Sequence, residues 1–146
     1  MLVNPVNKTG MVISAASDKD MSEIERMAKK FYLDVQEMSW EQFIVAKNDN
    51  EIIGFGRLRN YPECSEVATI GVLVEERKKG AGTAVVNELI RIGPKEIFVT
   101  CVIPSFFSKL GFHIVKKYPP VLQKKVDFCK SYDFKENQIF VMRIAK

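Results

Sequence analysis

The chain has 146 residues, 47% apolar and 27% charged, with a formal net charge of +4. Such a chain fits one globular domain with a buried core, here taken as residues 1–146, and excludes a disordered or fibrous polymer. Its cations fall in short clusters, Lys29-Lys30, Arg77-Lys78-Lys79, Lys116-Lys117 and Lys124-Lys125, which suits a small polyanionic ligand and argues against a nucleic-acid partner.

In chain order, MLVNPVNKTG lacks the apolar core of a signal peptide, and nothing downstream approaches the roughly 18 apolar residues of a membrane span. MVISAAS (Met11 to Ser17) reads as a strand, and Ser17 or Asp18 caps a helix over about 18–31, where Met21, Ile24, Met27, Ala28 and Phe31 recur at helical spacing. A short connection containing SWEQ leads to FIVAKNDNEIIGFGRLR, in which Asp49-Asn50 separates two β-rich runs and signals a hairpin. EVATIGVLV (Glu66 to Val74) is apolar enough to lie centrally in a sheet. After RKKGAGT comes a helix with Val85, Val86, Leu89 and Ile90 on its buried side, ended by Gly93-Pro94. EIFVTCVI is a buried strand, PSFFSKLGF a short helix closed by Gly111, FHIVKKY a strand, residues 119–137 a loop, and QIFVMRI the last strand. Cys64, Cys101 and Cys129 are odd in number and lack tight metal-type spacing. Reduced thiols, no metal site and a cytoplasmic location are therefore expected.

The turn Arg77 to Thr83 carries the strongest chemical signal. Glycines ahead of a helix N-terminus present unpaired N–H groups and a partial positive charge, which together favour a phosphate. An ordinary polar strand-to-helix turn is the alternative, and the neighbouring residues decide between them. The order strand, helix, hairpin, strand, Arg-x-x-Gly-x-Gly, helix, strand, short helix ending Leu-Gly-Phe, strand resembles the GNAT acetyltransferase superfamily over about residues 11–118. IGV at Ile70 to Val72 and FFSKLGF at Phe106 to Phe112 stand at the spacing that family shows.

The resemblance implies an α+β fold of three layers, α/β/α, with a mixed, mostly antiparallel sheet splayed at a β-bulge and flanked by helices. It implies acetyl-CoA as co-substrate, with the pyrophosphate held on Arg77, Lys78, Lys79, Gly80, Ala81, Gly82 and Thr83, and the pantetheine arm hydrogen-bonded along Ile70, Gly71 and Val72. Gly71 fits close backbone approach beside the bulge and equally a glycine that relieves crowding.

Acetyl transfer to an amine needs a base, because most amines are protonated at neutral pH. Glu66 lies six residues before Val72, an offset at which some GNAT enzymes that modify proteins carry a catalytic glutamate; the competing reading is a solvated carboxylate at a strand end. Glu63, Cys64 and His113 are weaker candidates. Many members place a tyrosine, which protonates the departing thiolate, where this chain has Phe107, so Phe106 and Phe107 read as packing residues. The stretch from VTCVIPSFFSKLGF through YPPVLQKKVDFCKSY looks like the short amino-acid N-acetyltransferases related to N-acetylglutamate synthase. It departs from their Cys-x-x-Cys-like segment in holding Val126 and Cys129. An amino-acid substrate calls for cations at its carboxylate, and Arg57 and Arg59, or Lys124 and Lys125, can supply them.

A small-molecule amine acceptor is thus the leading expectation. A protein N-terminal or lysine acetyltransferase and a non-catalytic CoA-binding regulatory domain stand as alternatives. No membrane partner is expected, and a homodimer is compatible with the family reading.

Overall fold

The structure, a computed structural model, describes residues 10–146. The stretch that argues against a signal peptide lies, up to Thr9, outside them. Among the described residues seven strands, numbered in chain order, form one hydrogen-bonded sheet in the order β1-β2-β3-β4-β5-β7-β6. The described residues divide into two compact units, 10–58 with 69–92, and 59–68 with 93–146.

The first unit opens on β1 (Val12–Ala15), which pairs antiparallel with β2 (Phe43–Asn48). A 3-10 turn at Asp18–Asp20 precedes α1 (Met21–Lys30). Ser17 N–H donates to Asp20 Oδ2 at 2.9 Å, and Lys47 Nζ meets the other oxygen at 2.8 Å, so the carboxylate fixes both the helix start and β2. Helical spacing buries Ile24, Met27 and Ala28 against Phe43, Val45 and Phe55. The helix ends in a Schellman motif: Tyr32, at φ 58°, donates to Lys29 O, and Leu33 N–H reaches Ala28 O.

β2 and β3 (Glu51–Asn60) form the expected hairpin, and Asp49 and Asn50 both take positive φ, as a two-residue turn matching strand twist requires. The far half of β4 (Ser65–Val72) and α2 (Ala81–Ile92) complete this unit. Val85, Val86 and Leu89 of α2 are fully buried.

In the second unit the near half of β4 runs parallel to β5 (Glu96–Cys101), with Glu66 opposite Phe98 and Val67 opposite Val99. β5 pairs antiparallel along its whole length with β7 (Phe140–Ala145), whose other edge takes the two-residue β6 (His113–Ile114). α3 (Pro104–Ser108) starts on a proline, whose fixed φ suits a first helical position, and packs Phe107 edge-on against Phe106 and Phe112.

The segment expected as a loop over residues 119–137 holds a fourth helix, α4 (Gln123–Lys130). Leu122, which caps it, and Val126, four residues on, are buried against Phe98 and Val141. That apolar pair is too short a run to show a period, and Pro119-Pro120, which the sequence reading takes as loop, lead into the 3-10 turn before the helix. The strand expected over FHIVKKY shrinks to His113–Ile114. No helix of the described residues is long and apolar enough to cross a membrane.

Candidate functional site

β4 carries Glu66, Ile70, Gly71 and Val72 of the residues singled out from the sequence. Midway along it Thr69 takes φ 54°, a left-handed conformation that a β-branched residue almost never adopts and that costs on the order of 1–3 kcal/mol. A left-handed residue inside a strand breaks the extended path as a β-bulge does, and the surroundings enforce it. Thr69 Oγ1 donates to Asp34 O at 2.8 Å and accepts from Arg57 Nε at 2.8 Å.

Arg57, fully buried, also directs Nη1 to Gln42 Oε1 at 3.0 Å and Nη2 to Asp34 O at 3.2 Å, with the Asp34 carboxylate 3.6 Å away. Its guanidinium lies 5.9 Å from the Phe43 ring centroid. The sequence reading offers Arg57 to a substrate carboxylate, whereas the structure closes it from solvent and engages it with the strand and the α1–β2 connection.

Beyond the bulge come Ile70, Gly71 and Val72. A Cβ on Gly71 would lie 2.5 Å from Phe55 Cζ, so this glycine relieves crowding against a ring. Arg77 Nε donates to Val72 O at 3.0 Å, and its guanidinium sits 5.3 Å from the Phe31 ring centroid, so it pins the turn to the strand. Lys78 takes φ 67° and Gly80 φ 97°, and a Cβ on Gly80 would meet nothing within 4 Å. The turn is therefore contorted by its backbone path and open in front. Ala84 N–H closes the first helical turn on Gly80 O at 2.9 Å. Helix geometry gives the amides before it no acceptor inside α2, and Lys78 and Lys79 are exposed beside them while Ala81 is buried. Open space, convergent amides, the helix dipole and two lysines suit a diphosphate.

The second unit gathers Glu66, Arg59 and Lys125 around Tyr61. Glu66 is 1% exposed, so it is not the solvated strand-end carboxylate of the competing reading. Tyr61 O–H donates to Glu66 Oε1 at 2.9 Å, and Lys125 Nζ stands 4.0 Å from Oε2. The Arg59 guanidinium lies 5.0 Å from the Tyr61 ring centroid. Burial, reinforced by the charges of Glu66, Glu63 and Glu96, pushes the Cys64 thiol up to about 11, and burial pushes Cys101 to about 11 as well. Burial also raises Cys129. All three are neutral thiols near pH 7, poor bases and poor nucleophiles. Glu63 and His113 are exposed, and Lys124 is exposed on α4. Phe107 is buried among aromatic rings and offers no proton to a leaving group. Among the described residues no three potential metal ligands cluster.

Sequence reasoning missed Thr69, Asp34 and Tyr61. A strained threonine inside an apolar run and a buried loop aspartate leave no local mark, but a tyrosine five residues from a strand carboxylate could have been flagged as its hydrogen-bond partner.

A sequence model of the Acetyltransferase (GNAT) family matches residues 13–112. Among solved structures, Rv2747 from Mycobacterium tuberculosis, in complex with CoA and NLQ, superposes with a TM-score of 0.72 at 19% identity, covering 92% of this chain and 99% of that one. N-acetylglutamate synthase from Neisseria gonorrhoeae, complexed with coenzyme A and N-acetyl-glutamate, gives 0.70 at 15% identity over 92% of this chain. This chain spans only 35% of that synthase. The ribosomal-protein-S18-alanine N-acetyltransferase from Escherichia coli gives 0.65 at 13% identity, covering 92% and 93%. At these identities the likeness is one of fold: an α+β sheet, mixed and mostly antiparallel, splayed at β4 and flanked by helices.

Proposed function

This chain belongs to the GNAT acetyltransferase family, and from that premise we propose that it moves the acetyl group of acetyl-CoA to the α-amine of a small molecule such as an amino acid. The observation that carries the reading is the succession on one stretch of chain of a bulge at Thr69, a strand at Ile70 to Val72 and an open positive-φ turn leading into α2. The family match runs through both compact units, which supports treating the chain as one acetyltransferase domain.

Lys78 to Thr83 receive the diphosphate through backbone amides, and Ile70 to Val72 pair with the pantetheine arm as an added strand. The acceptor nitrogen forms a bond to the thioester carbon, and a backbone N–H beside the bulge stabilises the oxyanion. That attack needs a free amine, so the ammonium proton first passes through water to Glu66, which is too enclosed for direct contact; as the C–S bond then breaks, the electron pair leaves on sulfur and the second nitrogen proton passes to solvent. Tyr61 and Lys125 hold that carboxylate in place. With Arg57 and Arg59 both buried and Lys125 turned to Glu66, recognition of a substrate carboxylate falls to Lys124, which is exposed on α4.

The missing acid narrows the acceptor. Expelling a thiolate of pKa near 8.5 unassisted at pH 7 forfeits about 2 kcal/mol. Deprotonating an α-amine adds about 1 kcal/mol and a lysine side chain roughly 4 to 5, so the α-amine is the easier nucleophile. A protein acceptor is the second reading, favoured by Tyr32, Val35 and Trp40, which expose apolar surface on the connection after α1. A panel of free amino acids, peptides with a free N-terminus and N-blocked lysine peptides, assayed with acetyl-CoA by thiol release, separates the readings. Free amino acids are expected to react fastest. Faster peptides would transfer the proposal to a protein substrate, and CoA binding without turnover of any amine would leave a regulatory domain.

A further inference from the structure

The bulge is held by a device that the transfer chemistry above does not use. Thr69 sits in a conformation it would abandon if left alone, and its hydroxyl is clamped from both sides, by the carbonyl of Asp34 and by Arg57 Nε. Arg57 cannot move away from it. The guanidinium is fully buried and is tied at its other nitrogens to Gln42 Oε1 and to the carbonyls of Asp34 and Glu37. Asp34, itself 6% exposed, accepts Gln36 N–H at 2.9 Å and so is fixed within its own loop. Loop, β3 and β4 are thereby locked at one point, and that point is where β4 departs from an extended path just before Ile70.

We propose that Asp34, Arg57 and Thr69 form a clamp that sets the bulge for the pantetheine arm of the acyl donor, with Arg57 a positioning residue and not a substrate ligand. The inference rests on the acetyl-CoA reading above. Without the clamp, Thr69 relaxes towards the β region, the strand straightens, and the backbone groups of Ile70 to Val72 lose the direction that pairing with an extended ligand requires. The turn from Lys78 to Thr83 does not depend on that hydroxyl. The clamp therefore acts on one half of the ligand and spares the other, a split that general loss of stability does not produce.

Two ligands separate the halves: CoA, and 3′-phosphoadenosine 5′-diphosphate, which keeps the diphosphate and lacks the pantetheine arm. Calorimetry with both on the whole chain compares wild type, Thr69→Val, which keeps the volume and removes the hydroxyl, and Thr69→Ser, which keeps the hydroxyl. Thr69→Val is expected to raise the Kd for CoA about tenfold or more, equivalent to about 1.4 kcal/mol, while the nucleotide changes by less than about twofold. Thr69→Ser restores CoA binding. If Thr69→Val does not fold, Arg57→Lys, which retains the charge beside Asp34 and removes the Nε–H, is expected to show the same split. Equal weakening for both ligands, or unchanged CoA binding, overturns the clamp. Wild-type protein that binds neither ligand overturns the acetyl-CoA reading, and the clamp with it.

Discussion

Arg57 and Glu66 are both charged side chains removed from water, and burial of that kind persists only when partners compensate. For Arg57 the partners form a complete cage of loop and strand oxygens. Glu66 has a phenol at 2.9 Å and an ammonium 4.0 Å away. Glu66→Gln keeps the shape and still accepts from Tyr61, so the fold should survive. If Glu66 is the base, acetylation at neutral pH falls by about 10²-fold or more, and the deficit shrinks as pH rises and the amine loses its own proton. Rates of wild type and variant between neutral and alkaline pH check this. A small, pH-independent deficit would reduce Glu66 to a buried hydrogen-bond acceptor.

At the scale of elements, α4 is the part of the fold whose existence rests on tertiary contact. Leu122 is fully buried and Val126 is 6% exposed, beside Phe98 and Val141, while the rest of the helix is mostly polar. An eight-residue helix is too short to hold without such packing. Leu122→Ala should therefore cost about 2–5 kcal/mol of unfolding free energy, with hydrogen-exchange protection lost first in residues 120–132. Urea unfolding with mass-spectrometric exchange measures both, and uniform protection loss across the chain would show that α4 has no separate stability. The same contrast explains what was legible in the sequence. α1, α2 and the hairpin could be read because Ile24, Met27 and Ala28, or Asp49-Asn50, state their geometry locally. The glycine turn was legible for the same reason, since Gly80 occupies a φ that glycine accepts. Thr69 and Arg57 were not, because their roles arise from partners distant in sequence, and the alternation of β3 gives no sign that one arginine faces a cage and the next a tyrosine.

For the whole molecule, shifted ionisations bound the pH range of stability. On the acid side, burial raises Asp20 but Lys47 and Ser17 outweigh it, and Arg26 and Arg91 hold Glu23 and Glu88 low. Carboxylates depressed in the folded state contribute stability above their unfolded pKa and lose it as pH falls through the folded one. Glu23 and Glu88 pair at the surface, so Asp20 carries most of this effect. The alkaline side has the opposite sign. Burial holds Cys101 at about 11 against an ordinary 9.0, so above pH 9 the unfolded chain releases this proton while the folded chain keeps it. With fewer protons bound in the unfolded state, stability falls as pH rises, and the fall ends once pH passes the folded value near 11. Cys64 adds a parallel, more solvent-screened contribution. Cys101 packs its Sγ 3.6 Å from Met142 Sδ, where serine fits but does not titrate in this range. Cys101→Ser should therefore be less stable than wild type at pH 7, yet lose less between pH 9 and 11, so the two curves converge. Denaturant midpoints measured across that interval decide the point, and parallel curves would mean that Cys101 ionises as readily in the folded chain as in the unfolded one.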